Sequence, residues 1–360
     1  MTIGNANNLA VEEARAIALK HAAAVAAGRD PAAERDAERG RQAAAKGETI
    51  AILVPAFIEQ HHEARGHRRA YEVRRALNVD AVRRWGSKPA RDITPTEVTR
   101  LIGEVLGRGA PAQARRLYVD LGRFFKWCVE NHFLQSSPMT AVAKPRPPRA
   151  RDRVLSDSDL RLLWHACDSI NPAYAGCVRL MVLTGCRRNE AARAVWEEFD
   201  LDAKTWNLPA SRSKNKRPHT THLPEQAIRL LRGLPRRGEF VFTMNGNRPL
   251  TAFSKLRAAL QKSMVARAKI DRCEPPEDSW VFHDLRRSLV SWLAASGVPV
   301  HVADRLLNHV SGSFSGVVGI YQRYEFVPER RNALTAWGNH IEALAAGVPS
   351  PSNVVNLHAA

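Results

Sequence analysis

Residues 138–153 read PMTAVAKPRPPRARDR, and no regular helix or strand can cross them. Each proline fixes φ and removes a backbone donor, which interrupts a helical ladder. The interspersed cations suit an extended strap laid along a polyanion. A chain divided at this point folds as at least two bodies, and each must bury its own core. With 360 residues, of which 44% are hydrophobic, both sides are long enough to do so.

The cations of the strap belong to a wider excess. Lys and Arg number 54 against 36 Asp and Glu, a formal charge of +18. Such a balance points to a polyanionic partner, most simply nucleic acid, although a generally basic protein remains the alternative on charge alone. The five cysteines, Cys128, Cys167, Cys177, Cys186 and Cys273, are odd in number and contain no C-x-x-C pair. They are expected to be reduced, packed thiols, with neither a disulfide framework nor a zinc site. The first nine residues are polar, and no later run is apolar enough to span a bilayer. The expectation is a cytoplasmic protein with no membrane contact.

Helical periodicity dominates on both sides of the strap. An Ala-rich helix is expected over 8–28, with Gly28 at its C-terminal cap, followed over 29–41 by either a solvated helix or a connector. Between Glu48 and Phe133 apolar residues recur at helical spacing: Ile50, Val54, Phe57 and Ile58; Val73 and Leu77; Val98, Leu101, Ile102, Val105 and Leu106; Leu117, Leu121, Phe124 and Phe125. Four or five helices follow, with Thr94 and Thr96 as caps of one. Basic residues cluster on them, including Arg69, Arg74, Arg115, Arg123 and Lys126, and continue into the strap with Lys144 and Arg146. Acids interrupt these clusters chiefly at Glu72 and Asp120, so DNA-backbone contact is expected there rather than a merely solvated face.

After the strap, Ser156 opens a helix and 173–183 form another. The period then changes to that of a small antiparallel sheet over 195–223, with turns at 202–204 and 214–218. Helices return over 224–234, 251–269, 283–296, 300–307 and 328–344. The fold class is therefore mainly α with a small antiparallel β-sheet (α+β). The expected division is 1–46, a helical connector; 47–142, a helical domain; 143–154, a linker; 155–345, a mixed domain; and 346–360, a flexible tail.

The second domain holds residues with one shared purpose. Phosphoryl transfer without a metal needs cations on the non-bridging oxygens, an acid for the leaving oxygen and an in-line nucleophile. TGCRRNE puts Arg187 beside a glycine turn and a helix start; RSKNKRPH puts Lys214 on a hairpin between strands. In HDLRR, His283 and Arg286 lie three residues apart, on one helical face. LLNH ends on His309, which equally suits a helix C-terminus, and Tyr321 follows the apolar run 316–320. A lysine can protonate a leaving alkoxide when neighbouring cations lower its pKa.

These pieces, TGCRRNE, SRSKNKRPHTTHLP, HDLRRS, LLNH and YQRYEFVPERRNALTAW, resemble in order and spacing the tyrosine recombinases of the phage integrase family, particularly integrases of prophages and genomic islands. The resemblance covers 153–344 and, more loosely, the helical domain before it. It implies that 47–142 is a SAM-like core-binding domain, that 155–345 is catalytic, and that the two clamp DNA. It implies a site-specific DNA recombinase that cleaves and rejoins strands through a 3′-phosphotyrosyl link. Arg187 and Arg286 would bind phosphate, Lys214 would be the general acid, His283 the acid/base partner, His309 a hydrogen-bond donor to phosphate, and Tyr321 the nucleophile, with Tyr324 its competitor. Glu190 matches a supporting acidic position. No metal, cofactor or ATP is implied.

The expected partners are attachment-site DNA and three further copies of the chain on synapsed duplexes, the free chain being monomeric, with a DNA-bending accessory protein as a further candidate. The chain is expected to associate with the nucleoid of a bacterial-type cell. The loop between His309 and Tyr321 is longer than in many relatives. Residues 1–46 resemble only the closing helix of an arm-type DNA-binding module. A type IB topoisomerase and an inactive DNA-binding relative are the alternatives.

Overall fold

In a computed structural model of the chain, residues 10–45, 47–64, 66, 69–148, 151–309 and 324–348 are described. The chain divides into two compact units, Met1–Ala150 and Arg151–Ala360.

In the first unit, α1 (Val11–Ala26) and α2 (Pro31–Ala45) come first. The cap of α1 is Ala27, one residue before the expected glycine; Gly28 follows it at φ +73°. Of the two readings of 29–41, the helix is the one found. Four helices then enclose a core: α3 (Ile50–Phe57), α4 (Ala70–Ala76), α5 (Pro95–Gly107) and α6 (Pro111–Glu130). Both α3 and α4 continue into wider π-type turns, Ile58–Glu63 and Leu77–Val82. Thr94 caps α5 by accepting from the Glu97 amide while Glu97 reaches back to the Thr94 amide, a reciprocal capping box with Pro95 in the first turn. Thr96 lies inside the helix instead of capping it. Val54, Phe57, Leu77, Trp85, Leu101, Leu117 and Phe124 bury one shared face. Leu106, grouped with them by spacing, is instead 41% exposed, because it falls past the edge of the α5 stripe.

The strap begins anchored to this unit: Arg115 donates to the Pro145 carbonyl (2.7 Å) and the Tyr118 hydroxyl to that of Val142 (3.2 Å). Its other end belongs to the second unit, where Arg153 pairs with Asp159 (3.5 Å) and, two residues on, the Leu155 amide donates to Ser288 Oγ (2.8 Å).

The second unit opens with α7 (Asp157–Ala166), capped by Ser156, and α8 (Pro172–Thr184). A short α9 (Arg188–Ala192) leads to the sheet β1 (Phe199–Asp200), β2 (Thr205–Leu208), β3 (His219–His222), antiparallel in sequence order. Trp206 pairs with Thr221 and Leu208 with His219, so the β2–β3 connection carries residues 209–218 as a long hairpin tip. Trp196, expected in the sheet, lies in a 3-10 turn just before it. Helices α10 (Glu225–Arg232), α11 (Phe253–Asp271), α12 (Phe282–Ala295), α13 (Val300–Leu306) and α14 (Val327–Ala346) complete the unit. Leu163, Leu183, Trp206, Leu260, Trp280, Leu289 and Trp337 form its core. Trp337 donates its indole N–H to the Val182 carbonyl (2.7 Å), tying α14 to α8.

All five cysteines are free, and among the described residues no group of three or more His, Cys, Asp or Glu is placed to hold a metal. No described helix is long and apolar enough to cross a membrane.

Candidate active site

The turn after α13 gathers the site. Its three consecutive carbonyls, from Leu306, Leu307 and Asn308, each accept from a different part of the chain. His219, at the start of β3, hydrogen-bonds the first through Nε2 (3.1 Å). Arg286, from α12, donates to the second. Arg187 Nη2 (3.4 Å) and Asn215 Nδ2 (2.5 Å) both donate to the third.

Arg187 is the N-cap of α9, and Glu190 three residues on accepts from both its amide (2.8 Å) and its Nη1 (2.7 Å). Glu190 thus fixes the arginine at both ends. Arg286 is only 4% exposed and its hydrogen bonds are to carbonyls, Nη1 reaching that of Gly185 at 2.9 Å. Gly185 sits at φ +61°, and a Cβ there would fall 2.5 Å from Leu289 Cδ2, so only glycine lets the turn come this close to α12. Burial, reinforced by the Arg187 charge, lowers the Arg286 pKa to about 10. Two carbonyls occupy part of its donor set without cancelling its charge, and with Glu190 balancing one guanidinium of the two the site keeps a positive charge that favours an anion.

His283, exposed in the first turn of α12, lies within electrostatic reach of both arginines. Its pKa is lowered, first by partial burial and then by Arg287 and Arg286, with Asp284 opposing. At neutral pH the ring is therefore uncharged and can accept a proton. His309 is half-buried with Nδ1 3.1 Å from Asp304 Oδ1, and its pKa is lowered by burial and by Arg286. A carboxylate at Nδ1 fixes that nitrogen as the donor and turns Nε2 outward for other work.

Lys214 is exposed on the hairpin tip, between Ser213 and Asn215. Ser213 Oγ accepts from Asn308 Nδ2 (3.1 Å). The backbone that carries the lysine is thus joined to the turn that carries His309. The structure brings Arg187, Glu190, Arg286, His283, His309 and the Lys214 hairpin to one locality; Tyr321 lies outside the described residues. Tyr324 is 56% exposed, its ring edge-on to Phe326 at 4.8 Å.

Three contributors escaped the sequence reading. Asn308 joins the turn to the hairpin, its side chain to Ser213 and its carbonyl to Asn215. Arg212 binds Glu198 (2.9 Å) and donates to the carbonyls of Arg193 (2.5 Å) and Glu190 (2.6 Å), fastening the hairpin base to α9. Cys186, next to Arg187, has its thiol pushed up to about 12 by burial and stays protonated.

In the first unit the expected DNA-contacting cations are surface groups. Acids more numerous than the local sequence suggests reach them: Glu63 pairs with Arg74 (2.6 Å) and Glu130 with Lys126 (3.5 Å), beside Glu72 with Arg69 (3.2 Å) and Asp120 with Arg123 (3.6 Å). Glu63 lies a helix away in sequence, which is why residue order hides it. Lys144 and Arg146 are exposed and form no ion pair among the described residues.

An arginine pair, two imidazoles and a hairpin lysine around one anion-favouring locality define a phosphate-handling site in a two-unit, mainly helical protein. Residues 153–325 match the Phage integrase family and residues 52–144 its central domain. The chain belongs to the phage integrase family, the tyrosine-type site-specific DNA recombinases. It is 26% identical over 291 residues to the prophage integrase IntZ of Escherichia coli K12, covering 78% of this chain and 68% of that one. It is 25% identical to IntA of the same strain, covering 77% and 66%. This chain thus spans about two thirds of each curated relative. A lambda integrase, in a structure described as a tetramer bound to a Holliday junction, superposes with a TM-score of 0.58 at 17% identity, covering 73% of this chain and 78% of that one.

Proposed function

We propose that this protein cleaves and rejoins attachment-site DNA through a covalent bond between Tyr321 and a 3′-phosphate. The observation that carries the reading is the convergence of Arg187, Arg286, His283 and His309 with the Lys214 hairpin around the 306–308 turn. Arg187 and Arg286 grip the non-bridging oxygens of the scissile phosphate, where charge builds in the transition state. The Tyr321 oxygen attacks phosphorus as its phenolic proton passes to His283, whose lowered pKa keeps the ring ready to accept it. The P–O5′ bond breaks, and Lys214 protonates the departing 5′-oxygen. His309, held at Nδ1 by Asp304, turns Nε2 to a phosphate oxygen and donates to it once the bound anion offsets the burial and the Arg286 charge that lower its pKa. Strand exchange reverses the chemistry when a 5′-hydroxyl from the partner duplex attacks the phosphotyrosine. The ester energy stays in that bond, so the residues present need no ATP.

The charge of +18 supports double-stranded DNA as the partner. The division of labour proposed is 1–46 as the remainder of an arm-binding module, 47–142 as core-binding, 143–154 as linker, 155–345 as catalytic and 346–360 as tail. Arg69, Arg74, Arg115, Arg123, Lys126, Lys144 and Arg146 hold the DNA backbone. By likeness to the lambda integrase tetramer, the working assembly is four copies on synapsed DNA at the nucleoid, joined by a DNA-bending protein.

The test is a nicked suicide duplex that traps the cleaved strand on the protein. The wild-type chain is expected to give a covalent adduct in chelator, and Tyr321→Phe to bind DNA without forming one. An adduct that survives in Tyr321→Phe refutes the nucleophile assignment.

A further inference from the structure

We propose that Asn308 is a positioning residue that holds Lys214 in register with the phosphate-binding arginines. The inference rests on the reading above, in which Lys214 protonates the departing 5′-oxygen.

Lys214 forms no hydrogen bond or ion pair among the described residues, so the placement of its ammonium depends on the backbone beneath it. That backbone is fastened on both sides of the lysine to one residue. On one side, Asn308 Nδ2 donates to Ser213 Oγ at 3.1 Å. On the other, Asn215 Nδ2 donates to the Asn308 carbonyl at 2.5 Å. Ser213 is fully buried, so its hydroxyl has no water to fall back on. The same Asn308 carbonyl also takes Arg187 Nη2 at 3.4 Å, and the preceding carbonyl takes Arg286. One residue therefore measures the distance between the hairpin and both guanidiniums. Asn308 stands at φ +52°, in the left-handed region that glycine and asparagine accept most readily. Glycine would fill the turn and keep the carbonyl, but it would lose the side-chain link to Ser213.

The consequence is specific to leaving-group protonation. A 5′-oxygen must be protonated as the P–O5′ bond breaks, whereas a 5′-sulfur in the same bridging position departs as a stable thiolate and needs no acid. Cleavage is measured with the full chain on two suicide duplexes, identical apart from oxygen or sulfur at the scissile 5′ position. Asn308→Gly is expected to slow cleavage of the oxygen substrate about tenfold, the worth of one well-placed hydrogen bond, and to slow the sulfur substrate far less. Ser213→Ala, which removes the other end of the same link without touching the turn, should raise the sulfur-to-oxygen rate ratio in the same direction. Lys214→Ala sets the limit, with strong loss on oxygen and recovery on sulfur. If Lys214→Ala is rescued by sulfur but Asn308→Gly and Ser213→Ala slow both substrates equally, or neither, Asn308 does not position the acid. If Lys214→Ala is not rescued, the acid assignment itself falls and takes this inference with it.

Discussion

Two surface arginines of the first unit and two buried arginines of the second are held by different means. In the first unit, Arg69 and Arg74 pair with Glu72 and Glu63 across side chains that are all about half-exposed or more. Such pairs contribute about 0–1 kcal/mol each and are screened by salt, so a phosphate can replace the carboxylate at little cost. In the second unit, Arg286 is buried against two main-chain carbonyls, and Arg330, also buried, donates to those of Glu325 and Thr220. Carbonyls on a fixed turn cannot move away, so these guanidiniums are set before any ligand arrives. The contrast separates exchangeable grip from preorganised chemistry.

The sharpest way to break that contrast is at Arg286. Arg286→Ala should reduce adduct formation by about 10²–10³-fold, the usual loss when one preset donor to a transition-state oxyanion is removed. Arg286→Lys should not restore it, because an ammonium cannot span the carbonyls of Gly185 and Leu307 in a fixed fork. Recovery with lysine would mean that charge alone suffices.

A smaller effect comes from His219, whose pKa is lowered to about 4 by burial and by the Arg330 charge. The unfolded chain takes up this proton near pH 6.5 and the folded chain only near 4. Stability is therefore fully present above pH 6.5 and falls between 6.5 and 4, by at most about 3 kcal/mol. Urea unfolding across that window should show the loss, and His219→Gln, which keeps a donor for the Leu306 carbonyl, should flatten it.

The least effect is expected in the first unit. Arg74→Ala should leave cleavage at saturating protein unchanged, weaken DNA binding a few-fold, and reduce the slope of log K against log salt by about 1. A loss comparable to that of Arg286→Ala would erase the distinction between the units.

Much of the architecture was legible because its signals are local. The prolines of 138–153 mark the strap, Thr94 and Ser156 announce helix starts, and alternation around Trp206 and Thr221 announces the sheet. At the site, His283 with Arg286 is a local spacing on one helix turn, readable from residue order, whereas Glu190 was indicated only by the family resemblance of its segment. Asn308, Arg212 and the Glu63–Arg74 pair were not readable. Each acts through contacts between segments distant in sequence, and a carbonyl that accepts from a residue 121 positions earlier, as that of Asn308 does from Arg187, leaves no pattern in residue order. The left-handed φ of Asn308 is likewise a property of the packed turn, since asparagine takes that conformation only where the surroundings ask for it.

Peptide mapping of the trapped protein–DNA adduct tests the central claim most directly. Trypsin cuts after Arg305, Arg323 and Arg330, so the two candidate phenols fall in different peptides, Tyr321 in 306–323 and Tyr324 in 324–330. The account predicts the nucleotide mass on 306–323, with 324–330 recovered unmodified. Nucleotide on 324–330, or on neither peptide, would contradict it.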